Sequence, residues 1–154
     1  MDRKINIFII YTSDDNDIML QLLRHLQPLK ELHDISIWHD DPIYKGQLWK
    51  PQIESRLNAA DIFLFLVSDA FMHSEFIDQS EFKGAIDRYK EGNAKVMPIL
   101  IDKCPWDIDF RSDDYNFNFK ELQVLPEHGK PIEDWTSSDE ALDKITAAVA
   151  SVIA

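Results

Sequence analysis

A chain of 154 residues with 45% hydrophobic and 29% charged residues suits one globular domain with a single core of ordinary size, and excludes disordered or collagen-like chains. Sixteen basic residues against 28 acidic ones leave a net charge of -12, a surface that repels phosphate backbones and anionic lipid, so neither nucleic acid nor membrane is an expected partner. Cys104 is the single cysteine, which removes an internal disulfide framework and any clustered cysteine metal site.

Residues 5 to 10, INIFII, read as the first strand. No signal-type apolar region precedes them, so the expected location is the cytoplasm. YTSDDND then supplies cap residues before a helical stripe of Ile18, Leu22, Leu26 and Leu29, with Pro28 expected to end or bend the helix near Gln27. DISIW is a short second strand with Ile35 and Ile37 on one face. HDDPIYKGQ is a loop carrying Pro42 and Gly46, followed by a helix marked by Trp49, Ile53 and Leu57.

The run IFLFLV after Asp61 lacks alternation and is too short for a long helix, so it reads as a strand buried on both faces. Ligands of open α/β sheets collect beyond the carboxyl ends of the strands, which makes the chain after Val67 the first place to seek chemistry. A helix marked by Phe82, Ala85, Ile86 and Tyr89 follows, ended by Gly92. KVMPILI, residues 95 to 101, is the fourth strand, and its internal Pro98 places it near an edge or a bulge. Periodicity fades from Asp102 to Asp134, where KPI is expected as a very short fifth strand. A capping-box pattern of Ser137 with Glu140 opens the last helix, which buries Leu142, Ile145, Val149 and Val152. Strands and helices in this alternation predict an α/β domain: a flavodoxin-like, doubly wound parallel five-stranded sheet with helices on both faces.

With four glycines in the chain, neither a G-x-G-x-x-G turn nor a Walker A loop can be written. The five histidines match no zinc spacing, so no metal is expected. A phosphoacceptor receiver shares the topology, with Asp14 and Asp15 after the first strand, Asp69 after the third and Lys103 after the fourth, but the loop WHDDPIYKGQLW has no receiver counterpart. Glu81 stands near the start of the helix after the central strand, beside Phe82. Its carboxylate suits either a favourable interaction with the helix dipole or a place in the cleft above the sheet.

Four segments in order resemble the Toll/interleukin receptor (TIR) domain family of the bacterial type, over nearly the whole chain. IFIIYTSDD is similar to the family's first box, with Phe8, Tyr11 and Asp15 in matching places. WHDDPIYKGQLW resembles the mobile BB loop at Trp38, His39, Asp40, Ile43, Gly46 and Trp49. ADIFLFLVSDAFMHSEF and LQVLPEHGKPIEDW resemble the third and fourth segments.

The resemblance implies a TIR fold over residues 1–154 and an enzyme that splits nicotinamide from NAD+, with Glu81 as the catalytic carboxylate. It implies that Tyr11, Thr12, Trp38, Asp41 and Ile43 line the substrate pocket, and that His39, Asp40, Pro42, Lys45 and Gly46 take part in assembly through the BB loop. NAD+ is then a substrate, and no resident cofactor is required. The implied partners are other TIR copies and, in a longer parent protein, a fused cyclic-nucleotide sensor such as a STING domain, in the setting of antiphage defence. A non-enzymatic module that signals through TIR–TIR contacts is the alternative.

Overall fold

The computed structural model describes residues 4–39, 50–73, 80–111, 116–127 and 130–153. Its centre is a four-stranded, all-parallel sheet in the order β2-β1-β3-β4, formed by β1 (Ile5–Ile10), β2 (Ile35–His39), β3 (Ile62–Val67) and β4 (Lys95–Leu100). Strand β3 is buried along its whole length, as expected for a strand covered on both faces. Helices α1 (Asn16–Leu32) and α5 (Ser138–Ile153) cover one face, while α2 (Lys50–Ala59) and α4 (Ser80–Lys90) cover the other. A short helix α3 (Asp69–Met72) directly follows β3.

Alternation along β1 and β3 divides the core. Ile7, Ile9, Leu64 and Leu66 point to the α1/α5 side, with Leu22, Leu26, Leu142, Ile145 and Val149. Phe8, Phe63 and Phe65 point to the α2/α4 side, with Phe71, Phe82, Phe110, Phe117 and Phe119. The last three of these come from the irregular stretch, where β5 (Phe110–Arg111) and β6 (Asn116–Phe117) make a small antiparallel pair. Their rings meet largely edge to face: Phe65 lies 5.6 Å from Phe119 and 5.7 Å from Phe82.

Five expectations change, the least of them at Val152 near the end of α5, which is only half-buried where the helical spacing predicts burial. Helix α1 runs through Pro28 to Leu32, because Leu26 and Leu29 on either side of the proline are buried. Their burial, roughly 1.5–3 kcal/mol each, offsets the helix bond that proline lacks. Met19 heads the buried stripe of α1, with Ile18 only half-buried at its margin. Asp15 occupies the N-cap position of α1, yet its side chain makes no capping hydrogen bond.

The fifth strand also differs. Lys130 makes only an isolated bridge to Glu127, and the place beside β4 belongs to Leu125, through an isolated parallel bridge to Ile99. Pro131 lacks a backbone donor, and the chain turns at Ile132–Asp134 into a 3-10 helix. The expectation for Pro98 holds: β4 is the last strand in the sheet order, and the Pro98 carbonyl accepts from Leu125 N at 2.8 Å. Pro98 therefore faces away from β3, where its missing donor leaves the β3 ladder intact.

Candidate active site

The strand order reverses between β1 and β3, since the chain leaves β1 outward to β2 and returns on the other side as β3. In such sheets the crevice at the carboxyl ends of the two strands flanking the reversal is the usual ligand site. Here it lies between the segment after Ile10 and the segment after Val67.

Tyr11 extends the α1/α5 side of β1 and is 2% exposed; its hydroxyl lies 3.5 Å from His39 Nδ1 at the end of β2. Thr12 donates through Oγ1 to Asp15 Oδ2 at 3.1 Å. The same carboxylate oxygen accepts from Ser68 Oγ at 2.5 Å, joining the loops after β1 and β3. Ser68 Oγ also accepts from Phe71 N at 3.0 Å and so caps α3. Burial raises the Asp15 pKa above its ordinary value and Asp14 adds to this, while the hydroxyls of Ser68 and Thr12 pull it down.

Further carboxylates gather at the same end of the sheet. Asp102, after β4, accepts from Asp69 N at 2.8 Å, and Glu133 accepts from Lys103 N at 2.8 Å. Burial raises the Asp102 pKa first, and Glu133, Asp15 and Asp69 add to it against the Asp69 N–H. The Cys104 thiol is pushed up to about 12, by burial and then by Asp102, Asp69, Asp15 and Glu133. A thiol so disfavoured as thiolate is no nucleophile at neutral pH. No group of three His, Cys, Asp or Glu among the described residues is arranged to hold a metal ion.

Glu81 falls in the first turn of α4, on a helix anchored by Phe82, Ala85 and Ile86, each 0% exposed. The side chain of Glu81 lies outside the described part of the structure. Helix α4 also lies close against α2: a Cβ on Gly84 would stand 2.9 Å from Leu57 Cδ2. Asp40, Asp41, Pro42, Ile43, Lys45 and Gly46 lie outside the described residues.

The expected pocket residues are therefore brought together only in part. Tyr11 meets His39, and Thr12 and Ser68 each meet Asp15, around the crevice. Trp38 points to the opposite face of the sheet from Tyr11, half-buried, with its ring 4.6 Å from that of Phe8 in an edge-on contact. Sequence reasoning did not assign a role to Ser68, Asp102 or Glu133. The available signal for Ser68 and Asp102 was their place directly after β3 and close after β4. Nothing local in the sequence marks Glu133, which arrives from a distant turn.

A cavity of about 500 Å3 lies at the other, amino-terminal edge of the sheet, between Ile5, Asp34, Asp61, Lys95 and Ile153. The volume is ample for a small ligand, but Asp61 there is committed to Asn6 N at 2.9 Å, and the cavity is remote from the loops that carry Thr12, Ser68 and Glu81. Topology outweighs volume in locating the chemistry.

Comparison with known proteins bears on the fold and the family. The uncharacterized protein y4lF of Sinorhizobium fredii (strain NBRC 101917 / NGR234) is 33% identical over 144 residues, covering 94% of this chain and 42% of that protein. The chain thus spans less than half the length of this curated relative. The crystal structure of the RPS4 and RRS1 TIR domain heterodimer superposes with a TM-score of 0.56 over 97% of each chain, at 9% identity, a likeness of fold alone. The family model for the TIR domain matches residues 7–125, and with the doubly wound sheet and its ordered boxes this chain belongs to the TIR domain family.

Proposed function

We propose that the chain is an NAD+ glycohydrolase that cleaves the nicotinamide–ribose bond, with Glu81 as the catalytic carboxylate. The observation that carries this reading is the position of Glu81 in the first turn of α4, next to the fully buried Phe82, on the helix reached from the carboxyl end of β3. One carboxylate suffices for this chemistry. The nicotinamide of NAD+ is already cationic and departs as a neutral amide, so no general acid is needed of the kind an O-glycosidase uses. An ionised glutamate then stabilises the oxocarbenium-like ribose and orients its hydroxyls. Water attacking the sugar gives ADP-ribose, and a nitrogen of the adenine gives a cyclic isomer.

The carboxylates Asp69, Asp102 and Glu133, beyond the carboxyl ends of β3 and β4, support an orientation for the substrate. An acidic rim attracts the cationic nicotinamide end and repels the diphosphate. The nicotinamide riboside half therefore enters on the β3 side of the crevice, with the diphosphate directed away from β4. Activation by self-assembly and a role in antiphage defence extend this reading, and a neighbouring copy would contribute its BB loop, residues 38–49. A second reading is a non-enzymatic module that signals by binding other TIR domains, the kind of contact named for the TIR heterodimer whose fold this chain shares.

Nicotinamide release from NAD+ at high protein concentration, with and without a crowding agent, separates the two readings. The expected result is turnover that rises steeply with assembly and is lost in Glu81→Ala while assembly survives. Turnover undiminished in Glu81→Ala overturns the assignment of Glu81. No turnover in demonstrated wild-type assemblies leaves the interaction module.

A further inference from the structure

Asp15 is placed as a helix cap but does not act as one. It occupies the N-cap position of α1, where a carboxylate ordinarily accepts from the first helical N–H groups, and it makes no such bond. Its Oδ2 instead accepts from Ser68 Oγ at 2.5 Å and from Thr12 Oγ1 at 3.1 Å, in a position where Asp15 is 9% exposed and Ser68 is 0% exposed. Ser68 is fully engaged, donating to Asp15 and accepting from Phe71 N. A charge this sheltered from water is costly to keep, and the hydroxyl donors offset that cost only while both loops hold their places.

The position of this bond gives it a consequence. Strands β1 and β3 are direct neighbours, with Ile10 opposite Phe65, and their carboxyl ends form the crevice at the reversal of strand order. The Asp15–Ser68 bond joins the two segments that follow these strands. On one side it fixes the turn that presents Thr12; on the other it fixes the cap of α3, from which the chain proceeds to α4 and Glu81.

We propose that Asp15 and Ser68 form a positioning pair that sets the spacing between the Thr12 loop and the start of α3, and so shapes the crevice in which NAD+ is held for cleavage. The role of the pair in turnover rests on the glycohydrolase reading; the coupling between the loops does not. Neither residue needs to touch substrate.

Two readouts on the full chain test this, with Ser68→Ala, Asp15→Asn and the hydroxyl-retaining Ser68→Thr. In amide hydrogen exchange, Ser68→Ala is expected to speed exchange about tenfold in residues 11–16, and Asp15→Asn to do the same in residues 67–73, each variant loosening the loop it does not alter. Exchange altered only in the loop that carries the substitution overturns the pair. In nicotinamide release, Ser68→Ala is expected to lower kcat/KM about tenfold or more, mainly through KM for NAD+, with recovery in Ser68→Thr. Unchanged kinetics in Ser68→Ala and Asp15→Asn overturn the positioning role. Absence of turnover in the wild type overturns the glycohydrolase reading and the pair's role in it, while the exchange result still decides whether the loops are coupled.

Discussion

The two faces of the sheet are built from different materials. Every buried phenylalanine among the described residues lies on the α2/α4 side, whereas the α1/α5 side is packed with leucine, isoleucine and valine around Met19 and Tyr11. Aliphatic chains interlock through many small dispersion contacts along two regular helices. Phenyl rings instead fill a less regular space, meeting edge to face at separations such as 5.1 Å for Phe82 and Phe110 and 5.2 Å for Phe117 and Phe119. The aromatic face also carries the helix of Glu81. Core packing on the aromatic side is therefore tied directly to the proposed catalytic carboxylate, whereas the helix cores of the other side are not.

The largest test of that contrast is Phe82→Ala. Removing a ring that touches Phe65, Phe110 and Phe119 should cost about 3–5 kcal/mol in chemical denaturation. It should also reduce nicotinamide release per folded molecule, because the ring anchors the turn that bears Glu81. Leu142→Ala, on the opposite side, should cost about 2–5 kcal/mol yet leave turnover per folded molecule close to wild type. Equal losses of specific activity in the two variants would erase the distinction between the faces.

A gentler version is Ile145→Val, expected to cost about 0.5–1.5 kcal/mol with no kinetic effect, read by the same denaturation series. The smallest effect concerns the carboxylates at the end of the sheet. Because the folded state holds the Asp102 proton more tightly than the unfolded chain, wild-type stability should fall as pH rises from the ordinary value of 3.8 through the raised one. Asp102→Asn should remove that decline and be the more stable protein at neutral pH, by less than about 0.5 kcal/mol. It should also make Cys104 quicker to alkylate, since Asp102 is the strongest of the charges that hold the thiol up. Identical pH profiles for the two proteins would remove Asp102 from this account.

The contrast between the faces also governs what could be read in advance. Helices α1 and α5 announce themselves through regular apolar spacing, and Leu22, Leu26, Leu142, Ile145 and Val149 are buried as that spacing predicts. Phe110, Phe117 and Phe119 gave no such signal, because a segment without period reveals neither which side chains turn inward nor what they meet. At Pro28 the helix does not end, for a related reason. Local propensity ends a helix at proline, but burial of Leu26 and Leu29 carries it on.

For the candidate site, the sequence contained the residue types and their place after each strand, but not their pairings. Glu81, Thr12 and Tyr11 stood out through the TIR resemblance, whereas the bond from Ser68 to Asp15 joins residues 53 positions apart. Composition, strand and helix periodicity and the ordered boxes were thus enough to establish an acidic α/β chain of the TIR family, since these depend on short-range spacing and residue type. Only the tertiary structure decided that Asp15 turns from its helix toward Ser68, that Trp38 and Tyr11 face opposite sides of the sheet, and that Asp15, Asp69 and Glu133, distant in the chain, raise the Cys104 pKa together with the neighbouring Asp102. Those outcomes depend on which strands become neighbours, and strand order is a global property that no single stretch of the chain encodes.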